Sequence, residues 1–306
     1  MDYFIYSLTL MAIYVGLAQL LYVQFGLLGI PNFGIVGFWG AGMYLTGVFV
    51  VTLKLPLGVS IVLATAIVGC VGWGIGRMVL RRSGQAILCA TLAFSAVIAT
   101  LVISEKWLTK GVQGLGTIHY PFEVFEQTEL LFGAIVLTIV IGLVWGTIRL
   151  RDSRLGRVMI AVRDNEELAE SLGKNTFSVK NVTFAATCGG MALLGGLSAP
   201  LNQFLVPYLL SPAVTFTIWI ALVLGGKSHS FGGLVGVLLT FGLFNILIET
   251  YAPVPVEYAG MIPNLKMFCY GLLLVVVIMF RPSGVLGTST PKKDVRPNPA
   301  PRKEHV

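Results

Sequence analysis

Nine stretches of this chain are almost free of charge. Each is long enough, at about 1.5 Å of helix per residue, to cross most or all of a hydrocarbon layer roughly 30 Å thick. They are 3–23, 31–51, 57–77, 85–103, 130–148, 180–200, 212–226, 231–251 and 265–280, with 31–51, 85–103 and 212–226 the least pronounced. Backbone placed in hydrocarbon has no water to bond, so runs of this length and composition form helices whose hydrogen bonds close internally. The expected fold is therefore all-α: a polytopic transmembrane helix bundle of about nine spans, within a range of eight to ten.

Composition supports this. Of 306 residues 56% are apolar and 11% charged, against roughly a quarter charged in a soluble domain. The net charge of +7 could in isolation suggest nucleic acid, but the charges fall in short blocks between the apolar runs. That is the pattern of loops joining spans, not of a basic binding face. Alternating those loops places 17 Lys and Arg on one side and leaves Lys54, Lys106, Lys110 and Lys266 on the other. Cytoplasmic loops carry the basic excess, so the N-terminus is expected outside and the C-terminus in the cytoplasm. Asp2, with no basic region ahead of the first apolar run, speaks against a cleaved signal peptide and for a first span. A transmembrane domain over 1–287, with a long inner loop at 150–180, is followed by a Pro-rich, charged tail, 288–306, expected to be disordered.

Small residues four apart recur, at Gly72 and Gly76, Ala192 and Gly196, Gly195 and Ala199, and Gly232 and Gly236. Such pairs let helices approach closely. Cys70, Cys89, Cys188 and Cys269 lack metal-ligand spacing and are read as small buried apolar residues. His119, His229 and His305 fall in loops or the tail, so no metal is expected. The middles of the spans hold no ionisable group of the kind that proton pumps and membrane enzymes need. No phosphate-binding G-x-x-x-x-G-K-[ST] loop is present, so energy for active transport has to come from a partner.

The inner loop reads RDSRLGRVMIAVRDNEELAESLGKNTFSVK from Arg151 to Lys180. Asp164 followed by Glu167 has capping-box spacing and Gly173 is a helix stop, which predicts a short helix over 165–172. Leu168 and Leu172 share one face of it; Glu166, Glu167 and Glu170 occupy the others. A helix lying on the membrane surface favours basic residues, so this acidic one is better suited to docking on a protein.

These residues carry a resemblance. Ser153 to Arg157 with Gly156 between, then Arg163, Asp164, Asn165 and Glu166, then Leu172 and Gly173, resemble the ATPase-coupling loop of permeases in branched-chain amino-acid ABC transporters. In order along the chain, Gly26 through Asn32, Phe33 and Gly34 to Tyr44 is similar to the family's Gly-rich second span. Thr109, Gly111, Gln113 and Gly114 are similar to its outer loop, Val223 to Gly236 to its late Leu-Gly-Gly turn, and Phe280 to Gly287 to its closing Phe-Arg-Pro-x-Gly signature. The chain departs from the pattern at Ile35, Lys110, Val112, Lys227 and His229.

The resemblance implies a multi-pass permease subunit of the prokaryotic inner membrane, of the second-permease type found in leucine, isoleucine and valine uptake. Its implied partners are two ATP-binding subunits, a second homologous permease, a periplasmic or surface substrate-binding protein and the lipid bilayer, with no nucleic acid. The chain itself would bind no cofactor or metal and would be no enzyme, the ATP being used by its partners. Arg157, Glu167 and Leu168 join the coupling residues already named, and Asn32, Phe33, Gly34 and Phe38 are candidates for the substrate path, with helix packing an equal reading for each. Relatives on the same scaffold carrying urea or short amides give an alternative substrate class. A stand-alone secondary transporter is a further alternative, but it would need coupling-ion groups at the bilayer midplane.

Overall fold

The structure is a computed structural model that describes residues 2–116, 118, 120 and 128–246, together with 268, 271–272, 275–276, 279 and 284–286. Helix α1 (Asp2–Leu21) continues as a π-helical turn, Tyr22–Leu27, and stops where Gly29 takes φ +75° and the Ile30 N–H bonds back to the Gln24 carbonyl at 2.8 Å. A positive φ costs glycine little, which is why the run can end so sharply. Next come α2 (Ile35–Val51), α3 (Leu57–Val79), α4 (Gly84–Ser104) and the single turn α5 (Lys106–Thr109). Helices α6 (Thr128–Asp152), α7 (Arg154–Asp164), α8 (Glu166–Ser171) and α9 (Thr176–Asn202) follow. The described bundle closes with α10 (Pro212–Gly225) and α11 (Gly232–Val237), the latter running into a second π-helical stretch, Leu238–Ile246.

Among the described residues five helices, α1, α3, α4, α6 and α9, are long and apolar enough to cross a membrane, while α2, α10 and the α11 stretch are shorter apolar helices. Eight of the nine expected apolar runs thus contain a helix. The eighth run beyond residue 246, most of the ninth and the tail lie outside the described residues, as do Cys269, His119, His305, Glu249 and Lys266. The stretch at 26–31, where a further span was conceivable, is the π turn and its exit.

Helix α9 is the axis, packed chiefly against α3 and α2. Between membrane helices there is no hydrophobic drive, so association rests on close van der Waals contact and interhelical hydrogen bonds. Small residues make that contact. A Cβ on Gly195 would collide with the Trp39 carbonyl of α2, and one on Gly42 of α2 with the Ala192 backbone. On α3, Gly72 faces Cys188 and Gly76 faces the Asn181 side chain. The α10–α11 pair uses the same device, Gly236 lying directly against the Ala221 carbonyl.

The expected inner loops meet at one end of the bundle. Arg81, after α3, stacks over the Phe177 ring at 4.4 Å; Arg163 reaches Gly26; and Arg151 donates to Ser230 Oγ at 2.9 Å. Trp73 and Trp145 are exposed at this end, each with an arginine one turn on, Arg77 and Arg149, at 5.3 and 5.0 Å. Tryptophan beside basic residues marks a membrane–water interface. At the opposite end, Leu115 and Leu205 form an isolated antiparallel bridge.

One sequence expectation is corrected here. Cys70 and Cys89 are exposed and only Cys188 is buried among the described cysteines. On an apolar helix the outward face is as apolar as the core, so composition alone does not separate the two.

Candidate functional site

The segment 150–180, expected on the inner side, is a helical hairpin, not a loop with one short helix. After α6, Ser153 caps α7, its Oγ accepting from the Gly156 N–H at 3.1 Å. Gly156 sits so close to the Leu150 and Arg151 carbonyls that a side chain would not fit. Arg157 Nη1 donates to the Asp152 carbonyl at 3.0 Å. Met159 and Val162 turn α7 inward, while Leu155 is exposed.

The cap of α8 is Asn165, not Asp164. The Asn165 side chain accepts from the Leu168 N–H at 3.0 Å in extended backbone, and Asp164 is the last residue of α7. Both residues can cap, but the break between α7 and α8 falls one residue later than the Asp164/Glu167 spacing indicates. Gly173, at φ +78°, ends the segment as expected. Ala169 is buried against the bundle, and Leu168 and Leu172 are 58% and 73% exposed, with Glu167 exposed beside them. Two contacts fasten α8 to α9: Glu166 pairs with Lys180 at 2.5 Å, and Thr176 Oγ1 donates to Glu170 at 2.6 Å.

Arg163 ties this hairpin to the membrane bundle. Its guanidinium pairs with Asp164 at 2.9 Å and donates to the Gly26 carbonyl at the end of the π turn, while its aliphatic stem lies against Gly29. Helix ends leave carbonyls without intrahelical partners, and a basic side chain is a natural cap for them. Gly26 also abuts the Lys227 carbonyl, whose own Nζ lies 5.6 Å from the Phe25 ring. Three segments distant in sequence therefore meet at Gly26–Gly29.

A buried polar hub begins one turn deeper. Asn32 Nδ2 donates to Gln24 Oε1 at 2.9 Å, and Gln24 Nε2 donates to Thr187 Oγ1 at 2.6 Å. The free N–H groups at the start of α2 are met by side chains: Gly34 by Asn32 Oδ1 at 2.7 Å, Val36 by Thr215 at 3.2 Å and Gly37 by Ser95 at 3.1 Å. The Phe33 N–H reaches Thr91 at 3.0 Å, and Trp219 donates to the Asn32 carbonyl at 2.9 Å while stacking on Phe33. Phe38 is wholly buried between Phe94 and Phe184. Of the four candidate path residues, Phe33 alone is partly exposed. Gln24, Thr187 and Trp219 belong to this hub and escaped the sequence reading. Gln19 within the first span and Gln24 immediately after it were the available signal.

The outer-loop residues sit at the opposite end. Thr109 Oγ1 lies 2.6 Å from the Val102 carbonyl and accepts from the Gly111 N–H at 3.3 Å. Lys110, Gly111 and Gly114 take φ of +58°, +59° and +80°, coiling the loop onto Leu205; Gln113 points outward, exposed.

Apolar helices joined at one basic, tryptophan-flanked end describe a multi-pass membrane protein. Whole-chain comparison is more specific: residues 3–278 match the family described as branched-chain amino acid transport system / permease component. The chain belongs to that family. It is 23% identical over 310 residues to the high-affinity branched-chain amino acid transport system permease protein LivM of Escherichia coli (strain K12), covering 93% of this chain and 70% of that one. It is 24% identical to the probable branched-chain amino acid transport permease protein LivM of Methanocaldococcus jannaschii, over 92% of this chain and 91% of its relative, and 23% identical to the E. coli permease LivH, over 86% and 87%. No solved structure matches.

Proposed function

We propose that this chain is one permease subunit of an ATP-driven importer for branched-chain or related amino acids, working in the inner membrane of a prokaryote. It pairs with a second homologous permease, rests on two ATP-binding subunits and receives substrate from a binding protein outside. The chain binds no cofactor of its own. Nine spans over 1–287, with the N-terminus outside and the basic end in the cytoplasm, complete the arrangement.

The observation that carries this reading is the α7–α8 hairpin. It presents Leu168 and Leu172 outward on an acidic helix, while Ala169, the Glu166–Lys180 pair and Arg163 hold its other side to the bundle. Exposed leucines surrounded by carboxylates suit a partner protein better than water or an anionic membrane surface. Gly156, Arg157 and Asn165 shape the hairpin, and Asn32, Phe33, Gly34 and Phe38 place the substrate path beside the hub that it touches. Thr109, Gly111 and Gly114 shape the loop that presents the exposed Gln113 to the binding protein.

Co-purification tests the docking role. Leu168→Asp with Leu172→Asp is expected to release the ATP-binding subunit while the permease stays folded, since both side chains are already solvent-facing. Retention of the subunit with uptake intact contradicts the reading.

A further inference from the structure

Three cavities run into one another along the seam between α1 and α6. At the end away from the docking hairpin is the most polar of the three, a pocket of about 190 Å³ where Tyr6, Thr9, Tyr120, Glu129 and Gln203 join Ile5 and Leu201. It shares Ile5 and Thr9 with an apolar pocket of about 210 Å³, which in turn shares Leu8, Ala12 and Leu137 with an apolar groove of about 380 Å³ reaching Ile148. From Glu129 to Ile148 the seam is about 28 Å long at 1.5 Å per helical residue. That exceeds one leaflet, half of a hydrocarbon core about 30 Å thick.

The two parts of the seam differ in chemistry. The groove is bordered by side chains such as Val15, Val140 and Val144, with Trp145 at its far end. The pocket is lined by one carboxylate and two tyrosines. Among the described residues Glu129 is the one charged side chain that lines it, and no Lys or Arg does. The Tyr120 phenol is held above its ordinary range by burial and then by the Glu129 charge, with a hydrogen bond to Gln203 acting the other way. A site that resists a second negative charge favours a cation, and tyrosine faces favour one too. A polar, negatively charged head pocket joined to a long apolar groove at membrane depth is the imprint of an amphiphile with a cationic head.

We propose that the α1–α6 seam binds a phospholipid whose head carries a primary ammonium, the amine seated at Glu129 between Tyr6 and Tyr120 and one acyl chain lying along the groove. The phosphate stays in water, where no base is needed to hold it. Anionic lipids are disfavoured by the same carboxylate. The inference rests on α1 and α6 spanning the membrane, and not on which substrate the permease carries.

Native mass spectrometry of the full-length chain tests this. The probes are phosphatidylethanolamine and phosphatidylglycerol with identical acyl chains. The ethanolamine lipid is expected to be retained about tenfold more than the glycerol lipid. Glu129→Gln brings that ratio to within about twofold, and Leu137→Trp, which fills the groove, lowers retention of both alike. Equal retention of the two lipids by the unaltered protein overturns the proposal. So does retention of neither. If Glu129→Gln weakens binding of free leucine and leaves the lipid ratio unchanged, the ammonium is the substrate's and the lipid assignment falls. None of these results bears on release of the ATP-binding subunit, so the two readings fail separately.

Discussion

At the scale of single residues, the bundle is fixed by atoms that are missing. Gly42 on α2 lies against the Ala192 backbone of α9, whereas Gly142 on α6 faces open space. A methyl group on Gly42 has to push two helices apart, and overpacking of this kind costs about 1–3 kcal/mol. Gly42→Ala is therefore expected to lower the thermal denaturation midpoint in detergent. Gly142→Ala leaves it unchanged or raises it slightly, and equal midpoints for the two variants would remove the distinction. The small-residue spacing at 72 and 76 and at 195 and 199 was legible in the sequence. Which backbone each glycine meets was not, because periodicity says where a face is and nothing of what it faces. The hub shows the same gap: Asn32 and Gly34 stood out as a motif, but Thr91, Ser95 and Thr215 look like ordinary span hydroxyls until the start of α2 is placed beside them.

At the scale of elements, the long apolar helices were visible from charge spacing alone, and α4, thought one of the least pronounced, is among the most apolar. Helix α7 was hidden. Its inward face consists of Met159 and Val162, set among Arg154, Arg157, Arg163 and Asp164, so the segment reads as a charged loop until something for that face to cover is known. The consequence is mechanical. Arg163 sits where the α7–α8 hairpin meets the end of α1, one turn from Gln24 and Asn32, and under the proposed docking role it is a link from α7 to the hub. Arg163→Met is expected to keep the ATP-binding subunit bound and its basal ATP hydrolysis intact while uptake falls at least tenfold, with Arg163→Lys recovering part of it. Undiminished uptake in Arg163→Met would show that the link carries no motion.

For the whole molecule, the pattern of positive charge and the contacts at one end of the bundle agree. The blocks expected inside, around Arg81, Arg151, Arg163 and Lys227, converge, and the outer loop coils onto Leu205 at the far end. Family membership follows from the match over 3–278. Among the described residues, the buried positions of this chain's spans and hub hold no Asp, Glu, Lys, Arg or His, the groups that ion-coupled transport uses at membrane depth. The chain's dependence on a separate ATPase is the central claim. Uptake of labelled leucine into proteoliposomes is the direct test, comparing this permease alone with the same permease joined by its second permease, ATP-binding subunits and binding protein. Accumulation is expected only in the complete set, only with ATP, and is lost with Leu168→Asp and Leu172→Asp. Accumulation by this chain alone, without ATP or partners, would contradict the account.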